Sequence, residues 1–296
     1  MINRDFYLEE IKSSMWDGQV KVITGLRRCG KSVLLFELFR DYLISTGVSD
    51  KNIIAISLDQ RKYYKYRNPI LLCDYVESVI KDDDSKYYVF IDEIQMSIKT
   101  IDKENGNIEV TVYDMLNELK SYKNLDVYVT GSNSKMLASD ILTEFRGRST
   151  QIHVYPLSFE EYYSYKGGDE RKCLEEYMLY GGMPRLTQLK DDNAKKKYLL
   201  SLYEEVYIKD IKERNHIERE DILEEILDYL SSQISSLTNP TKVANAISNE
   251  KKEKIDNILV SHYINHSVNA FLILIAKRYD IKGKSYFKYP NKVTAK

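Results

Sequence analysis

The 296 residues include 43% hydrophobic and 30% charged side chains, a globular balance with room for about two domains. The 44 Lys and Arg nearly cancel the 45 Asp and Glu, which excludes a chain that is basic or acidic throughout. No apolar run approaches the roughly 20 residues that span a membrane, and the three cysteines (Cys29, Cys73 and Cys173) make no disulfide or zinc pattern. Charged residues stand where a signal peptide would be apolar, so the expected location is the cytoplasm.

The N-terminal part of the chain combines helical patterns with a strand that runs into a glycine-rich loop. Apolar spacing predicts a helix over residues 5–16, a strand over 20–23 and a second helix over 33–39. The loop between strand and helix fits G-x-x-x-x-G-K-[ST], the phosphate-binding loop of nucleoside triphosphatases, and reads Gly25-Leu26-Arg27-Arg28-Cys29-Gly30-Lys31-Ser32. The sequence therefore predicts a nucleotide site to which all eight residues contribute.

The residue types in this loop suit the capture of an anion. Gly25 and Gly30 let the backbone curl so that successive N–H groups point inward, and the helix that follows adds its positive dipole end. Lys31 would reach the β- and γ-phosphates, and Ser32 would ligate Mg²⁺. Cys29 permits two interpretations: a reactive thiol among cationic neighbours at a helix N-terminus, or an inert loop residue.

A strand over residues 53–58 is followed by a basic and aromatic segment over 61–67, which is either a base-stacking surface or a tyrosine-rich loop. The next strand, over 87–91, ends in Asp92 and Glu93. Because the carboxyl ends of parallel strands face the ligand crevice, Asp92 is expected to hold Mg²⁺ beside the loop. Glu93 is expected to act as the general base that activates water.

Two further candidates follow along the chain. Residues 101–112 predict a loop or small hairpin, 113–122 a helix, and 127–130 a strand that runs into a Gly-Ser-Asn-Ser turn. Asn133 in this turn is the preferred sensor of the γ-phosphate, with Ser132 and Ser134 as alternatives. Arg148 precedes a fifth strand over 150–154, and it either stabilises phosphate charge or forms a surface ion pair.

These motifs together resemble a prokaryotic AAA+-type P-loop ATPase family that carries a C-terminal domain of unknown function. The resemblance rests on residues 23–32, 90–95, 130–134, 147–148, 156–159 and 180–184. It implies the AAA+ strand order, Walker A and Walker B segments, a sensor, and ATP in preference to GTP. Family members continue past Lys296, so the resemblance also implies that this chain lacks most of their C-terminal domain.

The second half of the chain ends in a basic segment and is predicted to be mainly helical, with helices over 159–165, 173–180, 194–214, 221–230, 243–247 and 252–266. From Leu237 to Lys296, eleven Lys and Arg oppose four Asp and Glu, a net charge of +7 that suits nucleic acid, a protein partner or a plain solvated surface. Residues 271–275 and 284–287 could form a hairpin after the helices, which resembles a winged helix. The predicted organisation is a P-loop ATPase domain (1–157), a helical lid or linker (158–218) and a winged-helix-like end (219–296).

The sequence thus predicts an α/β P-loop fold that binds and hydrolyses ATP with Mg²⁺ and couples nucleotide state to a conformational change, with homo-oligomers possible and no membrane partner. The alternative is a nucleotide-gated DNA-binding regulator with little turnover, in which Lys282, Lys284 and Lys288 contact DNA. A small-molecule kinase fits less well, because an Asp-Glu pair suits water activation.

Overall fold

The structure is a computed structural model that describes residues 1–81, 84–131, 149–234, 236–276 and 291–295. Contacts divide the chain into two compact units, Met1–Leu189 and Lys190–Lys296. The three-part division at residues 157 and 218 stays a prediction. Among the described residues, no helix is long and apolar enough to cross a membrane.

A parallel five-stranded sheet forms the centre of the first unit, with the strand order β2–β3–β6–β1–β7. Strand β6 lies between the strand that enters the glycine-rich loop and the strand that ends in Asp92. A separate antiparallel hairpin, β4 with β5, confirms the hairpin predicted for residues 101–112. The strands are β1 (Val20–Gly25), β2 (Ile53–Ser57), β3 (Tyr87–Asp92), β4 (Thr100–Asp102), β5 (Ile108–Val110), β6 (Leu125–Gly131) and β7 (Ser149–Val154).

Helices cover both faces of this sheet. On one face, apolar side chains of β1, β2, β3 and β6 form a buried core with two helices, α4 and α5. On the other face, the Phe39 ring contacts the rings of Tyr88, Phe90 and Tyr128. The helices of the unit are α1 (Asp5–Ser13), α2 (Lys31–Val33), α3 (Arg40–Ser45), α4 (Pro69–Val79), α5 (Val112–Leu119), α6 (Phe159–Lys166) and α7 (Glu170–Tyr180). A π-helical segment, Leu34–Phe39, joins α2 to α3.

Side-chain caps explain where several of these helices begin. Asn68 accepts hydrogen bonds from Ile70 N and Leu71 N at the start of α4, and Pro69 fills the first helical position. Reciprocal capping boxes start α5 and α6, from Thr111 with Asp114 and from Ser158 with Glu161.

The glycine pair at 181–182 has a structural explanation. Leu157 N donates to Gly182 O at 2.7 Å, and a Cβ on Gly182 would lie 2.2 Å from Leu157 O. Tyr177 OH also donates to Leu157 O at 2.7 Å. The segment after β7 is therefore joined to the end of α7 by a backbone approach that only glycine permits.

The second unit contains helices and a small antiparallel sheet. Its helices are α8 (Asp192–Ser201), α9 (Lys209–Asn215), α10 (Glu220–Ser232), α11 (Pro240–Lys251) and α12 (Asn257–Asn269), with a π-helical segment, Leu202–Ile208, between α8 and α9. Apolar residues of α9 to α12 form its core. Its strands are β8 (Leu237–Thr238), β9 (Ile273–Ala276) and β10 (Asn291–Ala295), in the order β8–β10–β9.

Strand β9 pairs with Asn291–Ala295, whereas residues 284–287, the partner expected from the sequence, lie outside the described residues. The helices of this unit were anticipated, but the π-helical segment Leu202–Ile208 divides the one predicted over 194–214, and the others have different bounds. The predicted helix over 252–266 begins only at Asn257, because Asp256 caps it there and Lys252 has a left-handed φ of 53° that ends the preceding helix. The winged-helix assignment stays a prediction.

Candidate nucleotide-binding site

The glycine-rich loop wraps around the ammonium group of its own lysine. Lys31 Nζ donates to the carbonyl oxygens of Gly25 at 3.0 Å and Leu26 at 2.9 Å, and the side chain is only 4% exposed. Gly30, with φ of 103°, stands at the cap position immediately before α2. A left-handed residue directly before a helix turns the chain sharply, so the loop closes over the lysine and the helix begins there.

Gly25 is required where the loop leaves the sheet. It is the last residue of β1, it pairs with Val154 of β7, and its φ is 142°. A Cβ at this position would lie 2.1 Å from Val154 O, a contact that real Cβ atoms do not make. The start of the loop therefore packs directly against the backbone of β7.

We predict that Gly25→Ala lowers the free energy of unfolding by about 1–3 kcal/mol or more. This is the range for backbone strain at one residue, to which the contact with Val154 O adds. The matched control is Gly47→Ala, because Gly47 also has a positive φ of 95° but nothing within 4 Å of its added Cβ. Urea unfolding of both variants measures the difference. Equal destabilisation of the two variants would show that the contact with Val154 carries no energy of its own.

Asp92 lies beside the loop and is surrounded by hydroxyl groups from three elements. Ser32 Oγ donates to Asp92 Oδ2 at 2.8 Å, and Thr130 Oγ1 contacts Asp92 Oδ1. Ser57 Oγ lies 3.3 Å from Asp92 Oδ2 and 2.7 Å from Asp59 Oδ1, so its single proton can serve only one of them at a time. The sequence predicted the pairing of Ser32 with Asp92 at this edge, but it missed Thr130 and Ser57.

The carboxylate and hydroxyl oxygens around Asp92 suit a magnesium ion as ligands. A carboxylate and neighbouring hydroxyl groups are hard ligands of the kind that Mg²⁺ takes in proteins, usually with one or two carboxylates and several waters. Asp92 is 6% exposed, whereas Ser32 is exposed at the mouth of the loop. The residues present therefore suit a metal that is shared between the protein and an anionic ligand.

Glu93 has an unusual backbone and a constrained side chain. Its φ of 53° is left-handed, a conformation that is uncommon for a residue with a Cβ and that tends to occur at functional sites. Gln95 Nε2 donates to Glu93 Oε2, and Glu93 N donates to Thr130 Oγ1 at 3.3 Å. Burial raises the pKa of Glu93 above its ordinary 4.5, and Asp92 raises it further, while Lys31, Gln95 and Arg27 lower it.

Cys29 does not project toward solvent. Its side chain is 0% exposed, and Sγ donates to Val154 O at 3.4 Å. This geometry favours the inert loop residue over the reactive thiol, since reaction requires access. Arg28 is exposed with φ of 64°, and Arg27 is half-buried and electrostatically coupled to Glu93.

Two predicted site residues, Asn133 and Arg148, lie outside the described residues, and so do Ser132 and Ser134. Their roles stay predictions. The described polar residue at the end of β6 is Thr130, whose position next to Asp92 follows from the sheet order, in which β6 separates β1 from β3.

The basic and aromatic segment Arg61–Arg67 is a 3₁₀ helix in which Tyr64 is 49% exposed but Tyr63 and Tyr66 pack against the protein. Tyr63 OH donates to Ala55 O at 3.1 Å, and Tyr66 stacks on Tyr75 with ring centroids 4.7 Å apart. These contacts favour the tyrosine-rich structural segment over a base-stacking surface.

Part of the basic charge of the second unit is neutralised by its own acids. Lys251 Nζ lies 3.3 Å from Asp221 Oδ2 and 3.1 Å from Glu225 Oε1, and Arg219 pairs with Asp221 and Glu253. Lys282, Lys284 and Lys288 lie outside the described residues, so DNA contact through them stays a prediction.

Known proteins resemble this chain in sequence and in fold. A family model described as "AAA domain" matches residues 17–163, and one described as "Domain of unknown function (DUF8612)" matches residues 171–288. The chain is 31% identical to an uncharacterized protein of Haemophilus influenzae over 293 residues, covering 97% of this chain and 70% of that protein. It is 27% identical to the uncharacterized protein MJ1544 of Methanocaldococcus jannaschii, covering 96% of this chain and 61% of that protein.

Among solved structures, the Walker-type ATPase PABY2304 of Pyrococcus abyssi has a similar fold. The TM-score is 0.63 at 15% identity, and the match covers 100% of this chain and 94% of that chain. The parallel sheet and its flanking helices match the P-loop NTPase fold. The chain belongs to the AAA-domain family, in the group whose members combine this domain with a domain of unknown function.

Proposed function

We propose that the chain binds Mg²⁺–ATP at the glycine-rich loop and hydrolyses it, and that the nucleotide state changes its conformation. The observation that carries the proposal is the convergence of three groups at one edge of the sheet. The buried Lys31 ammonium, the Ser32–Asp92 pair and the coupled Glu93 carboxyl are brought together from two parts of the sequence that lie 60 residues apart. These are a phosphate-binding cation, a metal-binding pair and a base.

Each residue has a distinct task in this proposal. The loop already encloses the Lys31 ammonium through two carbonyl contacts. When nucleotide binds, Lys31 exchanges these contacts for bonds to phosphate oxygens. Ser32 and Asp92 hold the metal, which when bound offsets the charge on the phosphate oxygens. Glu93 accepts a proton from the attacking water, and Gln95 orients its carboxylate. Asn133 and Arg148 are proposed to contact the γ-phosphate, Arg148 from the same chain or from a neighbouring copy.

The test is the steady-state rate of phosphate release against protein concentration, with and without Mg²⁺ and with and without duplex DNA. We expect release that depends on Mg²⁺, and a specific rate that rises with concentration if a neighbouring copy supplies Arg148. Release that appears only with DNA would favour the nucleotide-gated DNA-binding alternative. A wild-type protein that binds nucleotide but shows no release under any of these conditions would contradict hydrolysis.

The raised pKa of Glu93 makes a prediction about pH. A protonated Glu93 cannot accept a proton, so kcat/KM should fall as the pH drops through this pKa, and the acid limb should lie above 4.5. Arg27 lowers the pKa of Glu93, so Arg27→Gln should move the acid limb to higher pH. The measurement is kcat/KM against pH for the two proteins. An acid limb that moves downward in Arg27→Gln would contradict Glu93 as the titrating base.

A further inference from the structure

Arg4, which no sequence motif singles out, is buried beneath the glycine-rich loop. Its side chain is 4% exposed although it stands before the first helix of the chain. Its guanidinium donates from Nη1 to Cys29 O at 3.0 Å and from Nη2 to Tyr155 O at 2.7 Å. One planar group therefore joins the loop to the segment that immediately follows β7.

Two more contacts hold the guanidinium in place. Arg4 Nε lies 2.9 Å from Glu161 Oε1, and the guanidinium carbon lies 4.6 Å from the centre of the Tyr7 ring. Tyr7 OH in turn accepts a hydrogen bond from Tyr155 N at 3.1 Å. Both backbone groups of Tyr155 are thus bonded to side chains at the start of the chain, and a buried charge is compensated by a carboxylate.

The bond to Cys29 O has a consequence for the next amide. Among the described residues there are no cis peptide bonds, and in a trans peptide the carbonyl and the following N–H point in opposite directions. Arg4 holds the Cys29 carbonyl toward itself, so the Gly30 N–H points to the other side of the same peptide plane. Gly30 is the left-handed residue before α2, where inward-pointing N–H groups would meet a phosphate.

We propose that Arg4 is a positioning residue that orients the Cys29–Gly30 peptide, and thereby the anion-binding amides of the loop, for the phosphates of the nucleotide. The inference rests on the proposed function, since it assumes that the loop binds nucleotide. Arg4 touches the loop backbone from the side of β7, where two of its N–H groups bond carbonyls and its charge is paired with the Glu161 carboxylate. It acts through the loop and is not itself a catalytic residue.

The test compares Mg²⁺–ATP affinity, by calorimetry, in Arg4→Lys and Arg4→Gln. Arg4→Lys keeps the positive charge but loses the planar group that bonds two carbonyls at once. A fall in the ATP affinity of this variant therefore reports the lost geometry and not a lost charge. We expect affinity to fall roughly tenfold or more in both variants, as positioning losses at a site commonly do. If Arg4→Gln fails to fold because the partly buried Glu161 is left without its partner, the double variant Arg4→Gln/Glu161→Gln removes that charge.

Two controls separate positioning from general destabilisation. Glu161→Gln removes the ion pair but leaves both carbonyl bonds of Arg4, so ATP affinity should fall less than in either Arg4 variant. Asp126→Asn breaks a fully buried pair with Lys21, on strands of the same sheet, without touching the loop. If Asp126→Asn weakens ATP binding as much as the Arg4 variants do, or if both Arg4 variants bind normally, the inference is overturned.

Hydrogen exchange of the backbone amides of residues 30–32 gives a readout that needs no nucleotide. We expect faster exchange in Arg4→Gln than in Asp126→Asn at matched thermal stability. A wild-type chain that binds no ATP would defeat the proposed function, while the exchange comparison would still decide the role of Arg4. Equal exchange in the two variants would overturn that role even if the wild type binds ATP.

Discussion

Glu93→Gln is expected to bind Mg²⁺–ATP as the wild type does and to lose steady-state hydrolysis by roughly 10²-fold or more, the usual contribution of a general base. The substitution keeps the shape of the side chain, and an amide oxygen can still accept the bond from Gln95 Nε2. What it removes is the ability to accept a proton. Binding and turnover should therefore separate cleanly in this variant, as calorimetry and phosphate release would show.

The matched control for this experiment is Glu109→Gln. Glu109 lies in the exposed hairpin strand β5, where it pairs with Lys99 at 2.8 Å, and the chemical change is the same. Hydrolysis by Glu109→Gln should equal that of the wild type. If Glu93→Gln retains more than about a tenth of wild-type turnover, the contribution typical of a general base is absent and another group activates the water.

Lys31→Ala is expected to weaken the binding of ATP itself. Hydrogen bonds to charged groups contribute about 1.5–3 kcal/mol, so the loss of affinity should be roughly ten- to hundredfold. The variant also leaves the carbonyls of Gly25 and Leu26 without the donor that the loop encloses, so its stability must be measured alongside. Calorimetry with Mg²⁺–ATP, after circular dichroism has shown a folded protein, gives the affinity.

Lys99→Ala serves as the control for charge removal, because Lys99 is exposed and far along the chain from the loop. It should bind ATP with wild-type affinity. A folded Lys31→Ala protein with wild-type affinity would mean that the phosphates are held elsewhere, and the assignment of the loop would have to be abandoned.

The part of the fold that followed from sequence is the part governed by local pattern. Apolar runs located all five strands of the central sheet, and the loop motif fixed where β1 ends and α2 begins. Because the carboxyl ends of parallel strands meet at one edge, the proximity of Ser32 and Asp92 could also be predicted, and the structure places their oxygens 2.8 Å apart.

The residues that sequence reasoning missed are linked to the site by contacts distant in sequence. Thr130 and Ser57 reach Asp92 because of the order and register of β2, β3 and β6, which periodicity does not reveal. Arg4 precedes the loop by more than twenty residues and is, in the sequence, one of several charged residues near the N-terminus. Its sequence signal, a cation next to an amphipathic first helix, is too common to be specific.

The sequence left two interpretations of Cys29 open, a reactive thiol and an inert loop residue, for a related reason. Cationic neighbours in the sequence suggested an activated cysteine, but whether the side chain faces solvent depends on how the loop rests on β7. The close approach of Gly25 to Val154 places the thiol against the same carbonyl, where it is buried. The charged neighbours of Cys29 are visible in the sequence, whereas the solvent access of its thiol is not.

The most direct test of the central claim is a calorimetric titration of the wild-type chain with Mg²⁺–ATP, repeated after chelation of the metal. The account predicts saturable binding of one nucleotide per chain that weakens when Mg²⁺ is removed, because Ser32 and Asp92 would then lose the ion they share with the phosphates. Absence of any saturable binding by a folded protein would contradict the account, and so would binding with the same affinity with and without the metal.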